Sequence, residues 1–435
     1  MSQKPDYEID AYLRKTGEAN ALCDLRIWLP VSASGDARIE ATAFGVDADE
    51  DVVGVVDFLG EDPSGQGRFR YEAKDVLIRQ ARSKGGRLAG GVTLTISHIG
   101  TLLVEQRWGA TPDDLAEAPP RAVRWVLSQL SYGLPHHDVI EDYKGNRKVN
   151  SGLYKKISLG AVNSLDAPVF SLEQHWTWRD ESETCISASA NTVLSLPEPG
   201  DHSLESLTTQ AEDICLLLTL AARHLVIVYA IVSEGTHTVK TEWRNPLRRL
   251  RSRTEEEACG PLILDDDLME FFKEVAPRWS VMNGEERDAI RLAIYSIHAF
   301  VDRSMEAGFL AMFSALEGLS KRWGSSARVL RTRIEALFQK HPPGIGGLWP
   351  IFDTPTEAGL YWIRNELAHG RMGGRFPEGA LTVAHDHLQL WLEFALLAVL
   401  GHQTSANRND WLRGQIPTQR DEVVRLQRTL AGHGT

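Results

Sequence analysis

Arg364, Asn365 and His369 lie in the segment Tyr361–Arg371, YWIRNELAHGR, as Arg-Asn-x-x-x-His. An imidazole titrates near pH ~6.5 and can accept or donate a proton at neutral pH. A guanidinium carries a rigid fork of donors that fits a phosphate or a carboxylate. Together they suit proton transfer beside an anion. The bare spacing carries no weight. With 35 Arg and 14 His in 435 residues, an Arg with a His five positions later is expected about once by chance. Arg428 and His433 repeat it. In one regular helix this spacing sets the side chains about 140° apart around the axis and ~7.5 Å apart along it. They converge only if the helix unwinds near Gly370 or if two copies meet. A purely structural reading is equally concrete. Arg364 then pairs with Glu317, Glu357 or Glu366, and His369 caps the helix end, where a cation is favoured.

The elements that must position these residues are helical. From Leu268 onward apolar residues recur with helical spacing. Glu285–Met305 carries Ile290, Ile294, Ile297 and Val301; Gly308–Trp323 and Ala327–Lys340 follow. After the break HPPGIGG come Thr356–His369, Pro377–Leu400 and Asp421–Leu430. Short connections between such helices describe a bundle. Gly370 stands where a helix C′ residue belongs. The first part of the chain reads differently. Ala21–Leu29, Ala37–Phe44, Val52–Leu59, Gly67–Leu77, Leu88–Ile96 and Leu102–Trp108 are strand-like runs between turn clusters. Their even spacing suggests a sandwich or barrel. Pro119–Leu130 reads as a short helix, with prolines near its start. LPEPGDHS, 196–203, marks a boundary. Beyond it Ser203–Leu220 is helical, a hairpin turns around Ser233–Gly235, and a charged connector follows. The expected class is α+β multidomain: a β-rich domain over 1–197, a connecting helix, hairpin and basic linker over 198–264, and an all-α bundle over 265–435.

The Arg-Asn-x-x-x-His pattern near the end of a helix in a C-terminal bundle resembles the HEPN superfamily. GFLAMFSALEGLSKRW, 308–323, resembles that family's earlier helix, including its acidic residue at Glu317. The layout is similar to the ApeA-type HEPN proteins of bacterial abortive-infection defence. Those have an N-terminal β-rich domain, which WLP, 28–30, and the strand series after it resemble. The HEPN likeness covers roughly 265–430 and the N-terminal likeness roughly 1–195. The resemblance implies an endoribonuclease that needs no metal and no cofactor. The RNA supplies its own 2′-OH as nucleophile. His369 would move the proton, Arg364 would hold a phosphate oxygen, and Asn365 would orient the phosphate or His369. The products would be a 2′,3′-cyclic phosphate (or 3′-phosphate) and a 5′-hydroxyl. The resemblance also implies a homodimer with a composite site. It further implies tRNA or mRNA as the target, a toxic role in anti-phage defence, and a phage-derived trigger sensed by the β domain. The alternative is a non-catalytic RNA- or protein-binding or dimerisation module with a regulatory role.

Other residues were weighed for the same chemistry. Trp243–Arg253, WRNPLRRLRSR, holds Arg244, Arg248, Arg249, Arg251 and Arg253. They can grip a phosphate backbone while Trp243 stacks a base. They can equally be a solvated loop neutralised by Glu255–Glu257. Arg371, just past the motif, joins this candidate RNA-binding set. Lys321, Arg322, Arg328, Arg331 and Arg333 form a second basic cluster, closer in sequence to the motif; a solvated helix face is the first reading and a phosphate-binding patch the other. Glu317 borders an apolar stripe and is a candidate supporting residue. His385 and His387 point about 200° apart on a helix and do not share a metal. His136 and His137 lack further ligands. No metal site is expected, and no GxxxxGK[ST], GxSxG, HExxH or GxGxxG motif is present.

Composition bounds the rest. The net charge is −12, from 47 basic and 59 acidic residues, so any nucleic-acid site is a local patch on an acidic body. Cys23, Cys185, Cys215 and Cys259 are widely separated, as reduced thiols are. The polar N-terminus and the interruption of Ile214–Val232 by Arg223 and His224 argue for a cytoplasmic protein without a membrane span.

Overall fold

The structure is a computed structural model of the chain. It describes residues 7–14, 21–28, 38–44, 54–61, 69–84, 91–107, 120–127, 139–141, 147–149, 157–160, 170–182, 185–197, 199–244, 261–264, 267–298, 304–371, 377, 379–402 and 410–432. These fall into two compact units. The first holds every strand and the start of the first helix, to Cys215. The second holds Leu216–Leu225 and the remaining helices.

The first unit is one antiparallel sheet of thirteen strands plus a two-stranded ribbon. Part of the sheet closes on itself. Strands β1 (Tyr7–Arg14), β2 (Ala21–Trp28), β3 (Arg38–Phe44), β4 (Gly54–Glu61), β5 (Phe69–Lys84) and β6 (Gly91–His98) pair in the ring β5-β4-β1-β2-β3-β6, and β6 returns to β5. The closure depends on a bend in β5, which runs for sixteen residues. Its first half pairs with β7 (Thr101–Arg107) and its second half with β6. At the bend Asp75 adopts φ +54, and its N–H donates to Asp57 Oδ1 at 3.0 Å. Gly100, in the turn between β6 and β7, packs on this bend. A Cβ there would lie 2.7 Å from Asp75 Cβ, so only glycine lets the turn dock.

The proline pair predicts a helix over 119–130, but Ala122–Leu127 is a strand, β8. Its apolar residues alternate: Val123, Trp125 and Leu127 are fully buried. The ribbon is β9 (Val139–Glu141) with β10 (Arg147–Val149), and β11 (Ile157–Gly160) and β12 (Phe170–Ser182) end the sheet order. Both edges of β8 are paired, to β13 (Cys185–Leu196) and to β14 (Val228–Glu234), which satisfies its backbone. Trp125 lies 5.5 Å from Phe170, ring to ring. Two prolines before a strand break no ladder, so they do not decide between helix and strand. The hairpin predicted in the connecting segment 198–264 exists as β14 and β15 (Thr238–Arg244). It lies between β8 and β7 in the sheet order and so completes the β unit rather than linking two units.

The second unit is helical: α2 (Leu268–Val281), α3 (Gly284–His298), α4 (Met305–Leu319), a π-helical turn (Ser320–Gly324), α5 (Leu330–Lys340), α6 (Leu360–Ala368), α7 (Ala380–Leu400) and α8 (Asp410–Gly432). The helix α1 (Leu204–Ala222) ends here. α7 is mostly apolar, with Ala384, Leu388, Leu392, Leu396 and Val399 fully buried. It is long and apolar enough to cross a membrane, yet 67% of its most apolar window is buried inside the protein. It packs against α2, α3, α4 and α6 and is the core helix of the unit.

One ion pair is sealed in this core. Arg223 follows α1 with φ +58, and its side chain is 2% exposed. Its Nε and Nη2 donate to Glu393 Oε1 and Oε2 of α7 at 3.1 and 2.5 Å. Gln389 donates to the same carboxylate at 2.8 Å. Removing one partner leaves an uncompensated buried charge, which costs about 3–5 kcal/mol. Glu393→Ala is therefore expected to lower the urea stability of the helical unit by that amount. The double variant Arg223→Met/Glu393→Met should recover most of it. A single-variant cost under about 1 kcal/mol would show the pair to be dispensable.

Candidate functional site

α6 carries the Arg-Asn-x-x-x-His residues. Nine residues are too few for a helix to persist alone, so its position comes from its ends and its buried face. Leu360, Ile363 and Leu367 face the core. At the N-terminus the backbone of 350–353 serves as the cap. Leu360 N–H donates to the Pro350 carbonyl at 2.9 Å and Tyr361 N–H to that of Ile351 at 2.7 Å. Gly359 N–H donates to Asp353 Oδ1 at 2.7 Å. This docking needs a glycine, because a Cβ on Gly359 would lie 2.5 Å from the Phe352 carbonyl carbon and 2.7 Å from the Ile351 oxygen.

The C-terminus closes as the glycine predicts. His369 is the cap residue, and Gly370 takes φ +65. Gly370 N–H donates to Leu367 O and Arg371 N–H to Glu366 O, both at 3.0 Å. That pair of bonds is the Schellman motif. Its consequence is that His369 leaves the helix exposed. Among the described residues its imidazole makes no hydrogen bond and no ion pair. The ring is therefore open to an incoming group.

Arg364 is held differently. It lies one turn after Tyr361, and both face α4. Tyr361 packs 6.2 Å from Phe313, ring to ring. Arg364 Nη2 lies 3.2 Å from Glu317 Oε1. Phe313 and Glu317 are one turn apart on α4, so the two contacts are successive rungs of one α4–α6 interface. Of the three carboxylates weighed for Arg364, Glu317 is the partner found. The pair is about one-third exposed on each side and is not aligned as a hydrogen bond at Glu317 Oε1. Arg364 Nη1 donates to Asn365 Oδ1 at 3.2 Å. Asn365 thus steadies the guanidinium, and its main-chain carbonyl accepts the His369 N–H at 3.0 Å. No hydrogen bond joins Arg364 to His369 among the described residues.

The remaining candidates are placed as follows. Arg371 is exposed, 3.7 Å from the largely buried Glu366. Arg244 ends β15 and is bonded to Glu242 at 2.8 Å and Glu212 at 3.1 Å. Arg248, Arg249, Arg251 and Arg253 lie outside the described residues, as do His136 and His137. His387 is fully buried and accepts the Trp349 N–H on Nδ1 at 3.0 Å. His385 lies beside Gly308 on the α4 side, so the two imidazoles serve opposite faces of α7. Among the described residues no group of three or more His, Cys, Asp or Glu is placed to hold a metal. Two features escaped the sequence analysis: the Gly359 docking and the π-helical turn after Glu317. The first had a visible signal, a glycine at the start of a helical pattern.

No family model matches the chain, no curated protein matches it, and no solved structure matches it.

Two substitutions separate scaffold from site. Gly359→Ala forces a Cβ into backbone, and overpacking of this kind costs about 1–3 kcal/mol. Glu317→Ala removes an ion pair about one-third exposed on each side, and such pairs contribute about 1 kcal/mol or less. Chemical denaturation should show that order. A Glu317→Ala loss larger than that of Gly359→Ala would make Glu317 a structural keystone instead.

Proposed function

We propose that the protein is an endoribonuclease of HEPN type that cleaves RNA without a metal. The helical unit would carry the site, with Arg364, Asn365 and His369 as its catalytic set and Glu317 in support. The carrying observation is the pairing of an imidazole left free at a helix cap with a guanidinium held at the same helix by a replaceable carboxylate. A phosphate oxygen competes well with Glu317 for Arg364, because guanidinium–phosphate bonds are charge-assisted on both sides. His369 then moves the proton of the 2′-OH or of the leaving 5′-oxygen. Arg364 offsets the charge that develops on the phosphorus oxygens.

Arg364 and His369 do not meet within one chain, which supports a homodimer whose two motifs share the substrate. The wider reading keeps the resemblance: a cytoplasmic, defence-linked toxic effector acting on tRNA or mRNA, with the β unit sensing a phage-derived trigger. A non-catalytic binding or dimerisation module is the second reading. It is favoured by one observation, that Glu317 already neutralises Arg364 in the structure.

Purified wild type, Arg364→Ala and His369→Ala, each incubated with total cellular RNA in EDTA, test the proposal. Wild type is expected to leave 2′,3′-cyclic phosphates, and each variant to lose about 10²-fold or more in rate. Cleavage at equal rates by all three would remove these residues from the chemistry. Wild type that binds RNA but cuts none, even when co-expressed with infecting phage, would favour the binding module.

A further inference from the structure

The chain has two clusters of cations suited to holding a polyanion, and their geometry separates them. Arg244, the described member of the first, is already compensated by two carboxylates. The second cluster begins directly after Glu317. There the π-helical turn exposes Lys321, the approach to α5 exposes Arg328, and the first turn of α5 exposes Arg331. Among the described residues, Lys321 and Arg328 carry no ion pair. Arg331 likewise makes no ion pair among the described residues. Its Nη2 donates to the Asp353 carbonyl at 3.0 Å, and its guanidinium lies 4.9 Å from the Phe352 ring centroid. Arg322, in the same turn, is paired with Glu285 and drops out.

These cations are built into the frame of the site. Lys321 is four residues past Glu317, which holds Arg364. Phe352, under Arg331, packs 5.7 Å from Tyr361, one turn before Arg364. Gly324 brings α5 close: a Cβ there would lie 2.2 Å from the Arg333 carbonyl oxygen. Lys340 Nζ ties the corner by donating to the Gly324 carbonyl at 2.5 Å. π-helical turns are rare and recur at functional sites. The half-buried Trp323 in this turn offers an indole against which a base can stack. On a chain of net charge −12, three uncompensated cations at one corner form a local attractor for a phosphate backbone.

We infer that Lys321, Arg328 and Arg331 form the surface that grips the RNA backbone beside the Arg364/His369 motif. This takes its substrate from the ribonuclease reading. The test uses full-length His369→Ala protein, so that RNA stays uncut. Fluorescence anisotropy with a labelled single-stranded RNA is followed over a range of salt. Each phosphate contact on a single strand contributes about 0.7 to the salt slope. Lys321→Gln/Arg328→Gln/Arg331→Gln should weaken binding at least about tenfold at low salt and flatten the slope by about 2. Lys321→Gln/Arg328→Gln, which removes no bond within the fold, should flatten it by about 1.4. Arg425→Gln, at an exposed cation already bonded to Glu422, should leave both quantities unchanged. An unaltered affinity and slope in the double variant would overturn the proposal. So would a polyglutamate peptide that binds as tightly with the same dependence on these side chains, which assigns the surface to an acidic protein partner. Wild type that fails to cut RNA even in phage-infected cells, yet binds it with the expected slopes, would end the ribonuclease reading and leave this surface standing. Cleavage by wild type with RNA binding unchanged in the variants would do the reverse.

Discussion

The helical unit depends on a charge pair that water never reaches. Arg223 and Glu393 are both almost wholly enclosed. Each would cost several kcal/mol to dehydrate alone, so each requires the other. The bidentate geometry and the bond from Gln389 repay that cost only when α7 and the end of α1 hold one relative position. Apolar packing alone is tolerant of sliding, and most of the buried surface of α7 is apolar. A two-pronged ionic bond is not tolerant, so it fixes the register of α7 against the end of α1. Arg223 accepts a left-handed backbone, at about 1–2 kcal/mol, to aim its side chain into this pocket. Everything that packs on α7 inherits the register, α4 and α6 included.

The ion pair at the site has the opposite character. Arg364 and Glu317 are partly solvated, monodentate and poorly aligned. The pair adds little to stability and holds Arg364 loosely, which in the proposed reading lets a phosphate take the place of Glu317. The same chemistry thus serves two ends, and burial decides which. The rigid pair sets the helices, while the loose one leaves a guanidinium available at a known place. Beside the loose pair runs the ring line Phe313, Tyr361 and Phe352, which packs α6 against α4 and the 350–353 segment.

Much of this was legible in the sequence because local rules and tertiary demands agree. The helical periods after Leu268 gave α3 to α7 with modest shifts at their ends. Gly370 announced the Schellman closure, and Glu317 was among the three carboxylates expected for Arg364. The β-rich half was legible as a class, and its ring closure matches the barrel-like expectation. Elsewhere the deciding contact was remote. Val123, Trp125 and Leu127 alternate as a strand, but prolines before them speak for a helix start equally well. Only the two neighbouring strands, more than fifty residues away in sequence, settle the matter. The bend at Asp75 depends on Gly100, and no local residue type demands a left-handed aspartate there. The hairpin of β14 and β15 was visible as a hairpin, but its place between β8 and β7 is a property of the sheet, not of the segment.

The closing geometry of α6 bears on how a site here must be assembled. A helix with Arg and His five residues apart aims them at different sides, and unwinding before His369 would reunite them. The helix instead stays regular to Ala368 and then ends sharply on Gly370. Arg364 is turned toward α4, and His369 is turned to solvent beyond the cap. Local distortion is therefore not the means of convergence in this fold. The remaining means is substrate or protein from outside the chain. In the proposed reading, an isologous contact between two copies brings one motif's imidazole to the other's guanidinium, with the same residues serving on both sides. Such an arrangement needs a firm helix rather than a flexible one, since each copy must present its residue at a fixed place without help from its own partner residue. The Gly359 docking at one end of α6 and the Schellman closure at the other supply that firmness.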